Sequence, residues 1–179
     1  MAGNKIVSII IPTRNVRTTV ADLIVSITQQ SYRPMEVVII DGGSTDGTID
    51  ILEEIKRKNE EKEFKLKILK EEASLVRSPA NVRNIRILDS LGEYIIFLDA
   101  DMFIIDKDFV EKVRYTLDDN SWVRVKARPM FDAMIEKALV ADSLTSGNYG
   151  HWFCEVRREL FKERLFDTNL GFAEDADFF

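Results

Sequence analysis

The sequence predicts an α/β domain on a mostly parallel sheet, and three observations carry that prediction. Apolar runs without polar alternation recur at "KIVSIII" (5–11), "MEVVII" (35–40) and "EYIIFL" (93–98), the pattern of strands covered on both faces. Stretches with apolar residues at helical spacing fall between them. Each run ends in a polar or turn-forming cluster: Pro12-Thr13, Asp41-Gly42-Gly43-Ser44 and Asp99-Ala100-Asp101. Strand and helix in alternation give parallel strands joined by crossovers, and such sheets bind ligands beyond the carboxyl ends of their strands.

The elements follow in order. Val20, Leu23, Ile24 and Ile27 recur at i, i+3, i+4, i+7 after the first strand, with Thr18 or Thr19 as cap. Ile51, Leu52 and Ile55 form a second helical stripe, and Asp46 is its candidate cap. The charged stretch "EEIKRKNEEKEFK" reads as a solvated helix end and loop, and "LKIL" (66–69) as a further strand. Ala80, Ile87, Leu88 and Leu91 share one face of a helix over 79–91. Beyond Asp101, helices are expected over Asp108 to Leu117 and Asp132 to Asp142, with a strand in "WVRVKARPM" (122–130) between them.

Composition narrows the function. A chain of 179 residues, 45% apolar and 31% charged, suits one domain with a substantial core. The net charge of −6 argues against nucleic acid or an anionic membrane as partner, so an anionic ligand needs local cations. The single cysteine, Cys154, excludes an intrachain disulfide and fits a reducing, cytoplasmic setting. With one histidine, His151, a metal is expected to be held by oxygen. No apolar run reads as a signal peptide or a membrane span.

The strand ends gather the chemistry. Asp41 stands at a strand terminus, where its carboxylate can accept hydrogen bonds from a nucleobase edge, and the glycines after it permit close approach. Neither GxGxxG nor GxxxxGK[ST] occurs, which weighs against dinucleotide and P-loop sites. Extended alternation points Asp99 and Asp101 to the same side. Two carboxylates so placed repel unless a cation meets them, and Mg²⁺ or Mn²⁺ that also touches phosphate suits the pair; the bland alternative is two solvated loop acids. Asn84 falls within an apolar stripe, read first as a core amide, while Arg83 and Arg77 are the local cations for a phosphate or carboxylate. In "LGFAEDADFF", a helix places Asp175 at the edge of the Phe172/Ala176/Phe179 face, where burial raises a carboxyl toward general-base work. Glu174 points away and suits the dipole of a first helical turn.

Four ordered blocks, "VSIIIPTRN", "VVIIDGGSTDGT", "SPANVRNIRILDSLGEYIIFLDADM" and "CEVRRELFKERLFDTNLGFAEDADFF", resemble those of family 2 glycosyltransferases over nearly the whole chain. The resemblance implies a GT-A (Rossmann-like) α/β/α sandwich with a mostly parallel mixed sheet. It also implies inverting transfer of a sugar from a nucleoside diphosphate, UDP before GDP, to a glycan, lipid-linked or other hydroxyl acceptor. Matched by position, Pro12, Thr13 and Asp41 line the nucleoside pocket, with Ser44 and Asp46 beneath it. Arg83 and Asn84 match an Arg-Asn pair near the nucleotide. Asp101 matches the metal-binding end of a D-x-D whose Asp99 lies nearer the ribose and is the second metal candidate, and Asp175 matches the base. His151 and Trp152, in "SGNYGHWFCEV" (146–156), and Glu174 are acceptor-side candidates. Arg14 and Ser78 depart from the usual pattern without removing a required group. The expected organisation is a single catalytic domain over 1–179 truncated at its C-terminus, with a nucleotide-binding half over about 1–101 and an acceptor half over about 102–179. Competing expectations are an inactive nucleotide-sugar-binding fragment and a Mg-dependent phosphohydrolase of the haloacid dehalogenase type.

Overall fold

Six strands form one mixed sheet in the computed structural model, which describes residues 5–59, 64–70, 84, 87–119, 122–126, 152–162, 165 and 167. They are β1 (Val7–Thr13), β2 (Met35–Asp41), β3 (Phe64–Lys70), β4 (Tyr94–Phe97), β5 (Trp122–Lys126) and β6 (Trp152–Arg157), in the spatial order β3-β2-β1-β4-β6-β5. The first four strands in that order run parallel. β6 pairs antiparallel with β4 and β5 antiparallel with β6, so the sheet is mostly parallel on one side and mixed on the other.

Alternate residues along the strands feed two apolar layers, as the two-residue period of a strand requires. Ile9, Ile11, Val37, Ile39 and Ile96 face a core shared with helices α1 (Val20–Thr28), α2 (Thr48–Lys58) and α3 (Phe109–Asp119), which contribute Leu23, Ile27, Leu52, Val110 and Leu117. Ile10, Val38, Ile40, Ile95 and Phe97 face the opposite layer, closed by Ile87 and by Phe161 of the 3₁₀ turn Arg158–Lys162. Phe97 and Phe161 meet edge to face at 6.1 Å, a geometry that matches ring edge to ring face. Burial on both sides explains the unbroken Val/Ile content of β1 and β2.

Three readings need correction, and one strand was not expected. Leu88 and Leu91 are 66% and 53% exposed, whereas Asn84 and Ile87 are buried, so the inward stripe runs through 84 and 87. The helical residues end at Asp89, and Leu91 leaves the helical phase because its N–H is drawn 2.5 Å from Glu36 Oε1. Thr19 occupies the N-cap position of α1 without capping it; its hydroxyl donates to the Ala100 carbonyl at 2.8 Å. The N-cap position of α2 belongs to Gly47, at φ +93°, although Asp46 beside it still accepts from the Thr48 N–H at 3.0 Å and the Thr48 hydroxyl at 2.6 Å. The 152–157 segment, read for its acceptor-side residues, is a strand inserted between β4 and β5. The expected helix over 132–142 lies outside the described residues.

Candidate nucleotide and metal site

The parallel register brings the polar strand ends to one edge of the sheet. Thr13, Asp41 and Lys70 are successive partners across β1, β2 and β3. Ile10 pairs with Phe97, so Asp99, two residues on, reaches the same edge as Pro12 and Thr13. Thr13 is buried and its hydroxyl donates to the Ile40 carbonyl at 3.2 Å, while Pro12 is half-buried.

Asp41 is 3% exposed, and its own turn holds its carboxylate in place. Oδ2 accepts the Gly43 and Ser44 N–H groups at 3.0 and 2.9 Å, and Oδ1 accepts the Ser44 hydroxyl. Gly43 lies at φ +83°, a region closed to most side chains, which lets the chain fold back over the acid. The acid is therefore fixed in orientation before any ligand arrives.

The loops after β1 and β2 are joined residue by residue. The Asn15 N–H donates to Ser44 Oγ and the Thr45 N–H to Asn15 Oδ1, both at 2.9 Å. The Val16 N–H reaches Thr48 Oγ1 at 3.0 Å. The Arg17 N–H reaches Asp46 Oδ2 at 3.0 Å, and its guanidinium reaches the Asp46 carbonyl at 3.2 Å. The Thr48 hydroxyl, with the Arg17 and Thr48 amides, holds the Asp46 carboxyl below the usual carboxylate range. Ser44 and Asp46 thus build the platform, and Arg14 remains exposed on it.

β4 ends at Phe97, and the Met102 N–H bonds back to the Asp99 carbonyl at 3.2 Å. Residues 99–102 are therefore a turn, and the expected extended alternation of Asp99 and Asp101 does not hold. The turn leaves Asp99 half-buried and Asp101 exposed, with Ala100 buried between them. Its position is fixed by Thr19 at Ala100, which links the D-x-D segment to the start of α1. Among the described residues no group of three His, Cys, Asp or Glu side chains forms a metal cage. Two all-oxygen carboxylates at an open edge still fit a hard divalent cation, which usually keeps water and takes phosphate oxygens for its remaining positions.

Arg83, His151, Glu174 and Asp175 lie outside the described residues. Trp152 begins β6, and the antiparallel register with Phe97 opposite Cys154 carries its backbone toward the carboxyl end of β4. Sequence reasoning passed over Lys70, an exposed cation in register with Asp41. The sequence carries its signal, since a strand over "LKIL" ends beside Lys70.

These features define a mostly parallel α/β sheet with acids at its carboxyl edge, and comparison with known proteins assigns its family. Residues 8–162 match the family described as Glycosyl transferase family 2. An uncharacterised glycosyltransferase of Rickettsia conorii is 30% identical over 184 residues, covering 95% of this chain and 29% of the relative. The solved Staphylococcus aureus TarS 1–349 in complex with UDP superposes with a TM-score of 0.70 at 23% identity, over 96% of this chain and 53% of that one. A mannosyltransferase from Pyrobaculum calidifontis in complex with GDP-Man and Mn²⁺ gives 0.73 at 21% identity, over 96% and 50%. The fold is the GT-A fold of those structures, and the chain belongs to glycosyl transferase family 2. It spans about half of each solved chain and less than a third of the Rickettsia relative.

Proposed function

We propose that this chain carries the donor-binding part of a glycosyltransferase that moves a sugar from a nucleoside-diphosphate sugar to an acceptor hydroxyl with inversion. The observation that carries the reading is the convergence of Thr13, Asp41 and the Asp99–Asp101 turn on one sheet edge, in a chain of this family. UDP in the Staphylococcus structure, and GDP-Man with Mn²⁺ in the Pyrobaculum one, support a nucleoside-diphosphate donor and a divalent cation. UDP is the first choice and GDP the second.

In this reading Asp41, with Pro12 and Thr13, receives the nucleoside, and its pre-fixed carboxylate selects a base edge that donates hydrogen bonds. Asp99 orients the ribose side of the diphosphate, and Asp101 is the principal metal ligand. A bound Mn²⁺ or Mg²⁺ supplies charge stabilisation on the departing diphosphate. Arg83, and Lys70 at the neighbouring strand end, add positive charge for the phosphates. Asp175 takes the proton from the acceptor hydroxyl on the face opposite the leaving group, as inversion requires. Trp152, His151 and Glu174 belong to the acceptor side, where a glycan or lipid-linked hydroxyl enters. Among the described residues no helix is long and apolar enough to cross a membrane, and a cytoplasmic setting is part of the proposal.

A screen of nucleotide sugars for donor hydrolysis and transfer, repeated with Asp175→Asn, tests it. We expect one nucleotide class to be turned over, and the variant to lose transfer while keeping nucleotide affinity within about three-fold, because a base acts on the acceptor and not on the donor. Transfer retained by Asp175→Asn would move the base elsewhere. Nucleotide binding without turnover would leave a binding fragment.

A further inference from the structure

The turn that carries Asp99 and Asp101 is held from another element by one hydroxyl. Thr19 stands at the N-cap position of α1, where a threonine oxygen ordinarily accepts an amide of the first helical turn. Here its backbone lies at φ −117°, ψ −28°, and its side chain makes no capping bond. The hydroxyl donates instead to the Ala100 carbonyl at 2.8 Å, 81 residues along the chain, with the Val16 carbonyl a longer contact at 3.4 Å.

Ala100 lies between the two acids and is 6% exposed. Its C=O and the Asp101 N–H belong to one planar trans peptide and point opposite ways. A bond that fixes the carbonyl therefore fixes the plane from which the Asp101 side chain departs. The Met102 N–H closes the turn on the Asp99 carbonyl at 3.2 Å, and Ser26 Oγ of α1 accepts the Ile104 N–H at 3.0 Å. The exposed Asp101 thus stands on backbone held before and after it.

Thr19 is itself anchored. Its N–H bonds the Val16 carbonyl at 3.1 Å, the Val16 N–H bonds Thr48 Oγ1 at 3.0 Å, and the Asn15 N–H bonds Ser44 Oγ at 2.9 Å. The Ser44 hydroxyl donates to Asp41. Hydrogen bonds and short covalent steps therefore run from the turn of Asp41 to the turn of Asp101, and Thr19 is the last link.

We propose, on the reading of Asp101 as the principal cation ligand, that Thr19 is a positioning residue of the metal site: through the Ala100 peptide, its hydroxyl sets the direction from which the Asp101 carboxylate reaches a divalent cation. A group that orients a metal ligand without touching the metal still sets affinity, and its loss typically weakens binding about ten- to a hundred-fold. Capping α1 would be the stabilising use of this hydroxyl, and Thr19 forgoes it.

The test is the factor by which Mn²⁺ tightens UDP binding, or GDP binding if only GDP binds, from calorimetric titrations with and without the metal. Melting temperature is recorded for every variant. Thr19→Val keeps the branched shape and removes the hydroxyl; it is expected to lose most of the wild-type tightening of about ten-fold or more, with metal-free nucleotide affinity within about two-fold of wild type. Thr19→Ser, which restores the hydroxyl, is expected to regain at least about half of the tightening. Thr19→Ala takes the place of Thr19→Val should that variant not fold. Full tightening without the hydroxyl, whatever the melting temperature, overturns the positioning role alone. So does an equal loss in Thr19→Ser, or a matching loss of metal-free affinity. Tightening that survives Asp101→Asn, or a wild type whose nucleotide binding Mn²⁺ leaves unchanged, removes the cation reading and this inference with it.

Discussion

The two edges of the same sheet treat their charges differently. At the amino edge, acids are answered from within the chain. Glu36 is 1% exposed and has Ser8 Oγ at 2.5 Å, the Leu91 N–H at 2.5 Å and Lys67 Nζ at 2.9 Å from Oε2, the last an ion-pair contact without hydrogen-bond alignment. Asp118 receives the Tyr94 hydroxyl and lies 3.2 Å from Arg114 and 3.8 Å from Lys5. At the carboxyl edge, Asp41 is steered by its own turn's amides rather than by a cation, and Asp101 is exposed. Among the described residues, Glu36 and Asp118 have Lys67 and Arg114 beside them, whereas Asp41 is held by the amides and hydroxyl of its own turn.

Substitutions should therefore separate into losses of activity at one edge and losses of stability at the other. The largest effect is expected for Asp101→Asn, with transfer falling by more than about a hundred-fold, roughly 3 kcal/mol of transition-state stabilisation, while melting temperature barely moves. Steady-state kinetics and a thermal melt on one preparation check both halves; a collapse of stability would place Asp101 with the structural acids.

Gly92→Ala comes next. A Cβ there would stand 2.5 Å from Ser8 Oγ and 2.6 Å from the Ser8 main-chain nitrogen, which cannot retreat from the β1 ladder. We expect a cost of about 3 kcal/mol, read by denaturant unfolding. Glu36→Ala should cost about as much, since it strands Ser8 and the Leu91 amide, with melting lowered by roughly 6–12 °C. Donor affinity in Glu36→Ala should stay within about three-fold of wild type. A larger loss would mean that the two edges are coupled.

Acid should expose the same asymmetry. Burial pushes the Glu36 carboxyl up, but Lys67, the Ser8 hydroxyl and the Leu91 amide outweigh it and leave it below the usual carboxylate range. A depressed folded value contributes stability that is complete above the unfolded pKa, near 4.3, and is lost as pH falls through the folded value. Unfolding free energy should therefore decline below about pH 5 in the wild type and less steeply in Glu36→Gln. Parallel profiles would mean that Glu36 does not set the acid limit. The smallest effect is expected for Gly47→Ala, about 1 kcal/mol for forcing a side chain into φ +93°.

Much of this was legible in the sequence where periodicity speaks. The double-sided burial of β1, β2 and β4 followed from their unbroken apolar runs, and their shared edge followed from parallel strands. β6 was missed because its run is short, and because its pairing with β4 skips β5 in the chain and leaves no local signal. Leu91 misled because its spacing suits a helix that in fact ends at Asp89, where Glu36 and Ser8, distant in sequence, take over the next amides; Leu88 misled because the buried face runs through Asn84 and Ile87. The Asp99–Asp101 turn escaped for a related reason, as the alternation of a strand was carried past its last residue. Arg158, which donates to the carbonyls of Ile87, Leu88, Ser90, Gly92 and Glu93, had no sequence signal, since those partners lie more than sixty residues away.

The most direct measurement is the affinity of UDP and GDP for wild type and Asp101→Asn, each with and without Mn²⁺. We expect the cation to tighten nucleotide binding to the wild type by at least about ten-fold and to leave the variant's weaker binding unchanged. Equal tightening in both proteins, or none in either, would contradict a carboxyl edge built to hold a cation against a diphosphate.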